Sequence, residues 1–326
     1  MPSKVKHIYT YIDHDLAQVD QIIKSCVEHR DNTIKLLSDY LIEAGGKRLR
    51  PAFAILSAKL FGYSGDDHIK IAAAVEFIHS ATLLHDDVID ESALRRGRLT
   101  AHQKWGNKCS ILVGDFLFSQ AFQLMVRTNS LAVLNVLSKA AGVIAEGEIV
   151  QFGVINDMEI SQEKYIQIVS AKTAELFAAA CRSGAIIADQ TATTCQQMYD
   201  FGLNVGITFQ IIDDLLDYNA SSNSFGKNIG DDFYEGKVTL PVIIAYNQAI
   251  EDEQKQIIQI FKNPEKTEKE FKQIQVLFRK YHTNYKAANL AKSYITRCHK
   301  ILEQLPNNIV KSMLKEMLDY QLDRVS

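Results

Sequence analysis

The chain has 326 residues, of which 47% are hydrophobic and 23% charged, with 36 Lys+Arg against 39 Asp+Glu and a formal net charge of −3. That is an ordinary globular composition, which excludes a disordered, collagenous or disulfide-scaffold protein, and there is no global basic excess to recruit nucleic acid. The length allows two domains or one large one, and since no Pro-, Gly- or Ser-rich linker divides the sequence, one domain over 1–326 is expected.

The N-terminus, MPSKVKHIYTYIDHDLAQVD, lacks the apolar stretch of a secretory signal. No run of 18 or more apolar residues predicts a membrane-spanning helix, so a cytoplasmic protein is expected. Prolines number five and glycines 16. Long stretches with apolar residues at i, i+3, i+4 and i+7 dominate, which predicts an all-α bundle of about ten to twelve helices. The five cysteines (Cys26, Cys109, Cys181, Cys195, Cys298) contain no C-x-x-C pair and read as reduced thiols.

Gly45-Gly46-Lys47-Arg48-Leu49-Arg50-Pro51 reads as a loop entering a helix, because proline suits the first helical turn. Lys47, Arg48 and Arg50 then crowd the positive end of a helix dipole, where anions bind. Surface charge is the equally ordinary reading. Ile71, Ala74, Val75, Ile78, Thr82 and Leu83 mark the next helix, which ends in Asp86-Asp87-Val88-Ile89-Asp90. His79 lies seven residues before Asp86, about 20° away around that helix. Arg95-Arg96-Gly97-Arg98 follows, and guanidinium groups grip phosphate oxygens bidentately. Helical periodicity resumes at Ile111, Phe118, Phe122 and Met125. The stretches 71–84, 131–150 and 200–218 are apolar on more than one face and are expected inside the bundle. Lys172-Thr173 precedes a long helix carrying Gln210 and the second acidic motif, Asp213-Asp214-Leu215-Leu216-Asp217. The stretch 221–230 (SSNSFGKNIG) reads as a mobile loop that orders on substrate binding; Lys227 within it and Lys237 beyond it add cations.

The repeated D-D-x-x-D is the most informative feature. Asp86 and Asp90 lie about 40° and one turn apart on a helix. Carboxylates this close raise one another's pKa, and embedding them in apolar helices needs a reason. Mg²⁺ supplies one, since it takes oxygen ligands and bridges a few carboxylates to phosphates. A solvated acidic face is the alternative, weakened by the second copy. There is no P-loop and no dinucleotide fingerprint.

In this order and spacing, G-G-K-R-L-R-P, L-L-H-D-D-V-I-D-E-S, R-R-G, G-D-F, K-T-A and F-Q-I-I-D-D-L-L-D resemble the trans-polyprenyl diphosphate synthases over about residues 40–240. The resemblance implies an all-α bundle around a deep central cavity, a homodimer, and condensation of isopentenyl diphosphate with an allylic diphosphate using about three Mg²⁺ ions. By motif, Asp86, Asp87 and Asp90 match the first metal segment and Asp213, Asp214 and Asp217 the second, with Asp86, Asp90 and Asp213 as metal ligands. Lys47, Arg50, His79 and Arg96 match the isopentenyl diphosphate positions. Arg95, Lys172, Thr173, Gln210, Lys227 and Lys237 match the allylic diphosphate contacts, Lys172 also counting among the catalytic groups.

In the family, bulky aromatics four and five residues before the first motif stop chain growth early. Here those positions are Thr82 and Ala81, both small, so a long product is expected, C40 within a range of C35 to C50. Met125 and Leu137 are the candidate tunnel floor, although a buried Met is also ordinary core filler. Peripheral membrane contact for product release is a further expectation. The competing readings are a terpene cyclase, a non-catalytic or partner-dependent subunit of a heteromeric synthase, and a di-iron carboxylate protein, for which Glu76-Phe77-Ile78-His79 supplies one of the two E-x-x-H motifs required.

Overall fold

A computed structural model describes residues 3–28, 31–43, 46–95, 97–219 and 230–324. Among the described residues the fold is all-α, with seventeen α-helical segments and a single two-residue hairpin, Leu94–Arg95 against Arg98–Leu99. The excess over the expected ten to twelve comes from short segments such as Ala101–Trp105 and Asp231–Tyr234. They are too short to show a 3.6-residue period.

The Asp67–Ile89 helix runs through the interior. Its small residues Ala72, Ala73 and Ala74 are fully buried, as are Ile71, Val75, Ile78 and Ala81. The Asn107–Val126 helix returns alongside it, with Ser110 Oγ donating to the Leu84 carbonyl at 3.1 Å. At Gly114 a Cβ would come within 2.3 Å of His85 Nε2, so the missing side chain leaves room for the His85 ring between the two helices.

Two apolar clusters make up the core, and the Ala192–Asn219 helix joins them. Cys195, Met198, Phe201 and Val205 belong to the first, whereas Ile207, Ile211, Ile212, Leu215 and Tyr218 belong to the second. The second acidic motif therefore projects from a helix held by apolar contacts along its whole length. All five cysteines are free thiols, in line with the sequence.

One expectation about helix burial is corrected. The Leu131–Phe152 helix is not internal: it buries one stripe, Val133, Leu137, Ala140, Ile144 and Gly147, and leaves Leu131, Ile149 and Phe152 on the surface. Apolarity on several faces reports what a helix can bury and not what this chain covers. The Asn107–Val126 helix, moreover, is long and apolar enough to cross a membrane by length and composition. Its inner face, Val113, Leu117, Ala121 and Leu124, is packed into the bundle.

Candidate active site

The first acidic motif straddles a helix end. Asp86 and Asp87 lie in the last turn, and Asp90 is the C-cap with α-helical φ and ψ, so the predicted one-turn spacing of Asp86 and Asp90 is kept. The three carboxylates have different partners. Asp87 is 1% exposed and its Oδ1 accepts from Arg95 Nε at 2.7 Å, with Arg95 Nη2 at 2.6 Å. Asp86 Oδ2 is 3.8 Å from Lys172 Nζ, and Asp90 Oδ2 is 2.7 Å from Lys237 Nζ. Burial raises the Asp86 pKa, and the Asp90 charge adds to this against the pull of Lys172. Burial likewise opposes the Lys237 ammonium, but the carboxylates of Asp232, Glu235 and Asp90 outweigh it and raise its pKa.

Lys172 and Thr173 sit on a widened π-type turn, Ser170–Ala174, between the Gln162–Val169 and Glu175–Ile187 helices. Such turns re-aim side chains at functional sites. Two glycines clamp this one. A Cβ on Gly147 would reach 2.9 Å from the Lys172 nitrogen, and one on Gly206 would reach 2.4 Å from Ala174 Cα. Lys172 Nζ donates to Glu148 Oε2 at 2.6 Å and Gln151 Oε1 at 2.7 Å, both from the Leu131–Phe152 helix. The Glu148 carboxyl is pushed up to about 7 by burial and then by the Asp86 charge. Glu148 was not read as a site residue; its place one and two turns from nothing but apolar residues and Gln151 gave no pattern to find it by.

The aspartates of the second motif are not equivalent. Asp214 is 2% exposed, and its oxygens accept from Tyr165 OH at 2.5 Å and Gln210 Nε2 at 2.7 Å. Burial and the nearby Asp232 charge raise its pKa well above the usual carboxylate range. Asp217 Oδ2 accepts from the Asp232 backbone N–H at 3.2 Å. Asp213 lies 3.7 Å from Arg324 Nη2. Two segments bridge the motifs. The π turn reaches Asp86 through Lys172 and reaches Asp214 through Thr173 and Gln210. The 230–237 segment reaches Asp217 through Asp232 and Asp90 through Lys237. Gly236, at φ 78, makes the turn that delivers Lys237.

On the other side, Arg50 Nη1 lies 3.2 Å from His79 Nε2, and the guanidinium sits 4.6 Å above the Phe177 ring. Lys47 is held by its backbone, whose carbonyl accepts from Tyr9 OH at 2.6 Å. Burial lowers the Lys47 pKa to about 8, with the Arg324 charge adding to this and Asp213 opposing it. Lys47, Arg324 and Asp213 thus form one electrostatic group. Arg324 was not read as a site residue; it stands near the C-terminus with no motif around it. Arg48 departs from the expected anion site. It is the helix N-cap at φ 47 and pairs with Glu76 and Asp20. Glu76 is thereby committed to an ion pair, away from the di-iron role.

Ala81 is fully buried and Thr82 half-buried, its hydroxyl turned back to the His79 carbonyl at 2.9 Å. Met125 and Leu137 are buried in the same apolar cluster as Ala81. Arg96 and Lys227 lie outside the described residues. One cavity is lined by Lys172, Thr173, Gln210, Asp214, Asp232 and Lys237, with Val154, Ile160 and Val169 among its apolar walls.

Among the described residues, no three His, Cys, Asp or Glu side chains are grouped closely enough to hold a metal by themselves. The donors presented are carboxylate oxygens flanked by lysines. That set fits a hard cation such as Mg²⁺, which takes one or two carboxylates and completes its shell with phosphate and water.

Facing acidic motifs with cations on either side, set in an all-α fold, define an enzyme class that handles diphosphates. Residues 31–278 match the Polyprenyl synthetase family, and the chain belongs to that family. It is 47% identical over 244 residues to the octaprenyl diphosphate synthase of Escherichia coli (strain K12), covering 75% of each chain. Its structure is similar to that of a polyprenyl synthase from Caulobacter crescentus CB15 complexed with calcium and isoprenyl diphosphate. There the TM-score is 0.95 and the identity 42%, over 99% of this chain and 98% of that one. A decaprenyl diphosphate synthase from Rhodobacter capsulatus matches at TM-score 0.93 and 40% identity, over 98% and 99% of the two chains. The protein is a prenyltransferase, a trans-prenyl diphosphate synthase with long-chain relatives.

Proposed function

We propose that this enzyme is a Mg²⁺-dependent octaprenyl diphosphate synthase that extends farnesyl diphosphate with isopentenyl diphosphate, head to tail, for a quinone side chain. The double bridge between the acidic motifs carries the reading. Lys172 stands at Asp86 and Lys237 at Asp90, while Thr173, Gln210 and Asp232 tie the same two segments to the second motif. An allylic diphosphate placed among them meets fixed positive charge on several sides, with its prenyl tail directed past Thr82 and Ala81.

Asp86, Asp90 and Asp213 would hold Mg²⁺ together with phosphate oxygens and water, and the bound cation would supply charge neutralisation for the departing diphosphate. Arg95, Lys172 and Lys237 hold that diphosphate while the allylic C1–O bond breaks, and being fixed in advance they stabilise the leaving charge without reorganising. Lys47, Arg50 and His79 hold isopentenyl diphosphate so that its double bond attacks C1. The new carbocation loses a proton to the departing diphosphate, and the apolar surroundings keep water from it. No protein nucleophile is required.

The reading includes one domain and a homodimer. Leu112, Val126, Leu131, Ile149 and Phe152 are exposed on the Asn107–Val126 and Leu131–Phe152 helices, Leu131 at 83%. Exposed apolar residues gathered on adjacent helices are what a partner subunit covers. The C40 length rests on small Ala81 and Thr82 and on the octaprenyl relative, while the decaprenyl relative shows that neighbouring lengths occur in similar structures.

The test is product sizing. Purified protein with Mg²⁺, farnesyl diphosphate and labelled isopentenyl diphosphate is expected to give a dominant C40 alcohol after dephosphorylation, and none after chelation. A stop at C15–C20 would overturn the long-chain assignment. Failure of the chain alone to incorporate label would overturn its action as a homomeric enzyme.

A further inference from the structure

Tyr165 is 5% exposed in the short Gln162–Val169 helix, and its hydroxyl donates to Asp214 Oδ2 at 2.5 Å. Asp214 Oδ1 accepts from Gln210 Nε2 at 2.7 Å, and Gln210 Oε1 accepts from Thr173 Oγ1 at 2.9 Å. A continuous series therefore runs from Tyr165 through Asp214 and Gln210 to Thr173, the neighbour of Lys172. Thr173, Gln210 and Asp214 line the cavity that also holds Lys172 and Lys237, and Tyr165 is part of its wall.

Both Asp214 oxygens accept, one from the Tyr165 hydroxyl and one from the Gln210 amide, and a glutamine amide presents two donors on one side and an acceptor on the other. Asp214 thus sets the orientation of Gln210, meeting its NH₂ group while the Thr173 hydroxyl meets its carbonyl oxygen. One amide hydrogen goes to Asp214, and the second remains for an anion in the cavity. If the amide turned over, its carbonyl oxygen would take that place and repel a phosphate. Asp214 can hold Gln210 this way only while its own carboxylate plane is fixed, and the Tyr165 hydroxyl fixes it.

We propose that Tyr165 is a positioning residue for the allylic diphosphate, orienting through Asp214 the Gln210 amide that the diphosphate meets. This rests on the reading of the Lys172–Lys237 cavity as the allylic diphosphate site. The backbone of the π turn is packed closely against Gly147 and Gly206 of two neighbouring helices. Lys172 has its own partners in Glu148 and Gln151, so loss of the hydroxyl is expected to act on amide orientation. Of the isopentenyl diphosphate residues, Arg50 and His79 stand on other helices and Lys47 in the loop that enters the Leu49–Leu60 helix, apart from this series.

The experiment is calorimetric titration of the full-length protein, with Mg²⁺, by a non-reactive thiolo analogue of farnesyl diphosphate, alongside steady-state kinetics. Tyr165→Phe is expected to weaken analogue binding about tenfold, roughly the 1.4 kcal/mol of one polar contact. The allylic KM rises correspondingly, with the isopentenyl diphosphate KM unchanged. Asp214→Asn, which lets the amide turn over with Tyr165 intact, is expected to give the same selective loss. In a double-mutant cycle, Tyr165→Phe added to Gln210→Ala is expected to cost nothing more. Multiplicative effects in that cycle, or equal rises in both KM values, would overturn the positioning role. Wild-type protein that fails to bind the analogue would overturn the site reading itself, whereas normal wild-type binding with an unaffected Tyr165→Phe variant would remove Tyr165 alone.

Discussion

Lys237 Nζ lies 2.7 Å from Asp90 Oδ2, so a lysine that follows the second acidic motif closes on the last carboxylate of the first. The same ammonium is 2.6 Å from Glu235 Oε2, and only 15% of the side chain is exposed. Without a diphosphate present, the lysine neutralises the acidic groups that a cation would otherwise satisfy. Lys237→Ala is therefore expected to raise the allylic diphosphate KM by about tenfold, the cost of one charge-assisted contact. It should also lower the Mg²⁺ concentration giving half-maximal activity, because the ammonium no longer competes with the cation for the carboxylates. A Mg²⁺ titration of activity at fixed pH checks both.

Asp86 presents the opposite balance of stability and function. Burial raises its pKa, which means that its charge is held at a cost in the folded protein. Asp86→Asn removes that cost and keeps the shape. Its melting temperature measured without Mg²⁺ is expected to equal or exceed that of the parent, while kcat falls by about 10²–10³-fold with the loss of transition-state charge stabilisation. A large fall in melting temperature would make Asp86 a structural group instead.

The Lys47 pKa of about 8 gives the proposed isopentenyl diphosphate site a pH dependence. The ammonium is charged below that value and neutral above it, so kcat/KM for isopentenyl diphosphate should fall as pH rises through about 8. Lys47→Arg, which stays charged, should flatten the profile. Stability moves the other way. Between about 8 and the ordinary lysine value the unfolded chain binds the proton and the folded one does not, so this group's contribution to stability rises with pH. A pH series of kinetics and thermal melts separates the two.

Much of this site was legible because its chemistry is local in sequence. Asp86 and Asp90 are one helical turn apart whatever surrounds them, and Arg50 and His79 belong to short motifs that the fold brings together. Arg324 could not be read this way, since it reaches Asp213 from near the other end of the chain and carries no motif. Tyr165 and Asp214 are 49 residues apart, and a tyrosine in an amphipathic helix looks like core until its hydroxyl is placed. Arg48 shows the converse. Its position beside Lys47 and Arg50 suggested an anion site, but its left-handed backbone turns the side chain to Glu76. The Leu131–Phe152 helix was misplaced because periodicity measures apolarity, and the outer apolar face of this helix stays on the surface.

That outer face gives its own prediction. Leu131 and Ile149 are 83% and 74% exposed, so replacing them costs the isolated subunit little. The double variant Leu131→Asp, Ile149→Asp is expected to shift the protein from dimer to monomer in light scattering, with helical circular dichroism retained. An unchanged mass would place the dimer contact elsewhere.

Chain length tests the tunnel. Thr82 is one turn above the first motif, so Thr82→Phe sets an aromatic ring within reach of the primer's tail and is expected to stop products near C15–C20. Met125 is 15 residues beyond Ser110, whose hydroxyl meets the Leu84 carbonyl; at 1.5 Å per residue that is about 22 Å down the bundle. A turn of helix is comparable to one isoprene unit, so a straight chain arrives at Met125 after about four units. An eight-unit product must therefore bend past it, toward Leu137 on the returning helix. Met125→Ala is then expected to leave the product length unchanged while lowering stability by about 2–5 kcal/mol, the usual cost of emptying a core site. Leu137→Ala should lengthen the products beyond C40. Longer products from Met125→Ala would make Met125 the floor, and an unchanged spectrum from both variants would place the floor outside this pair.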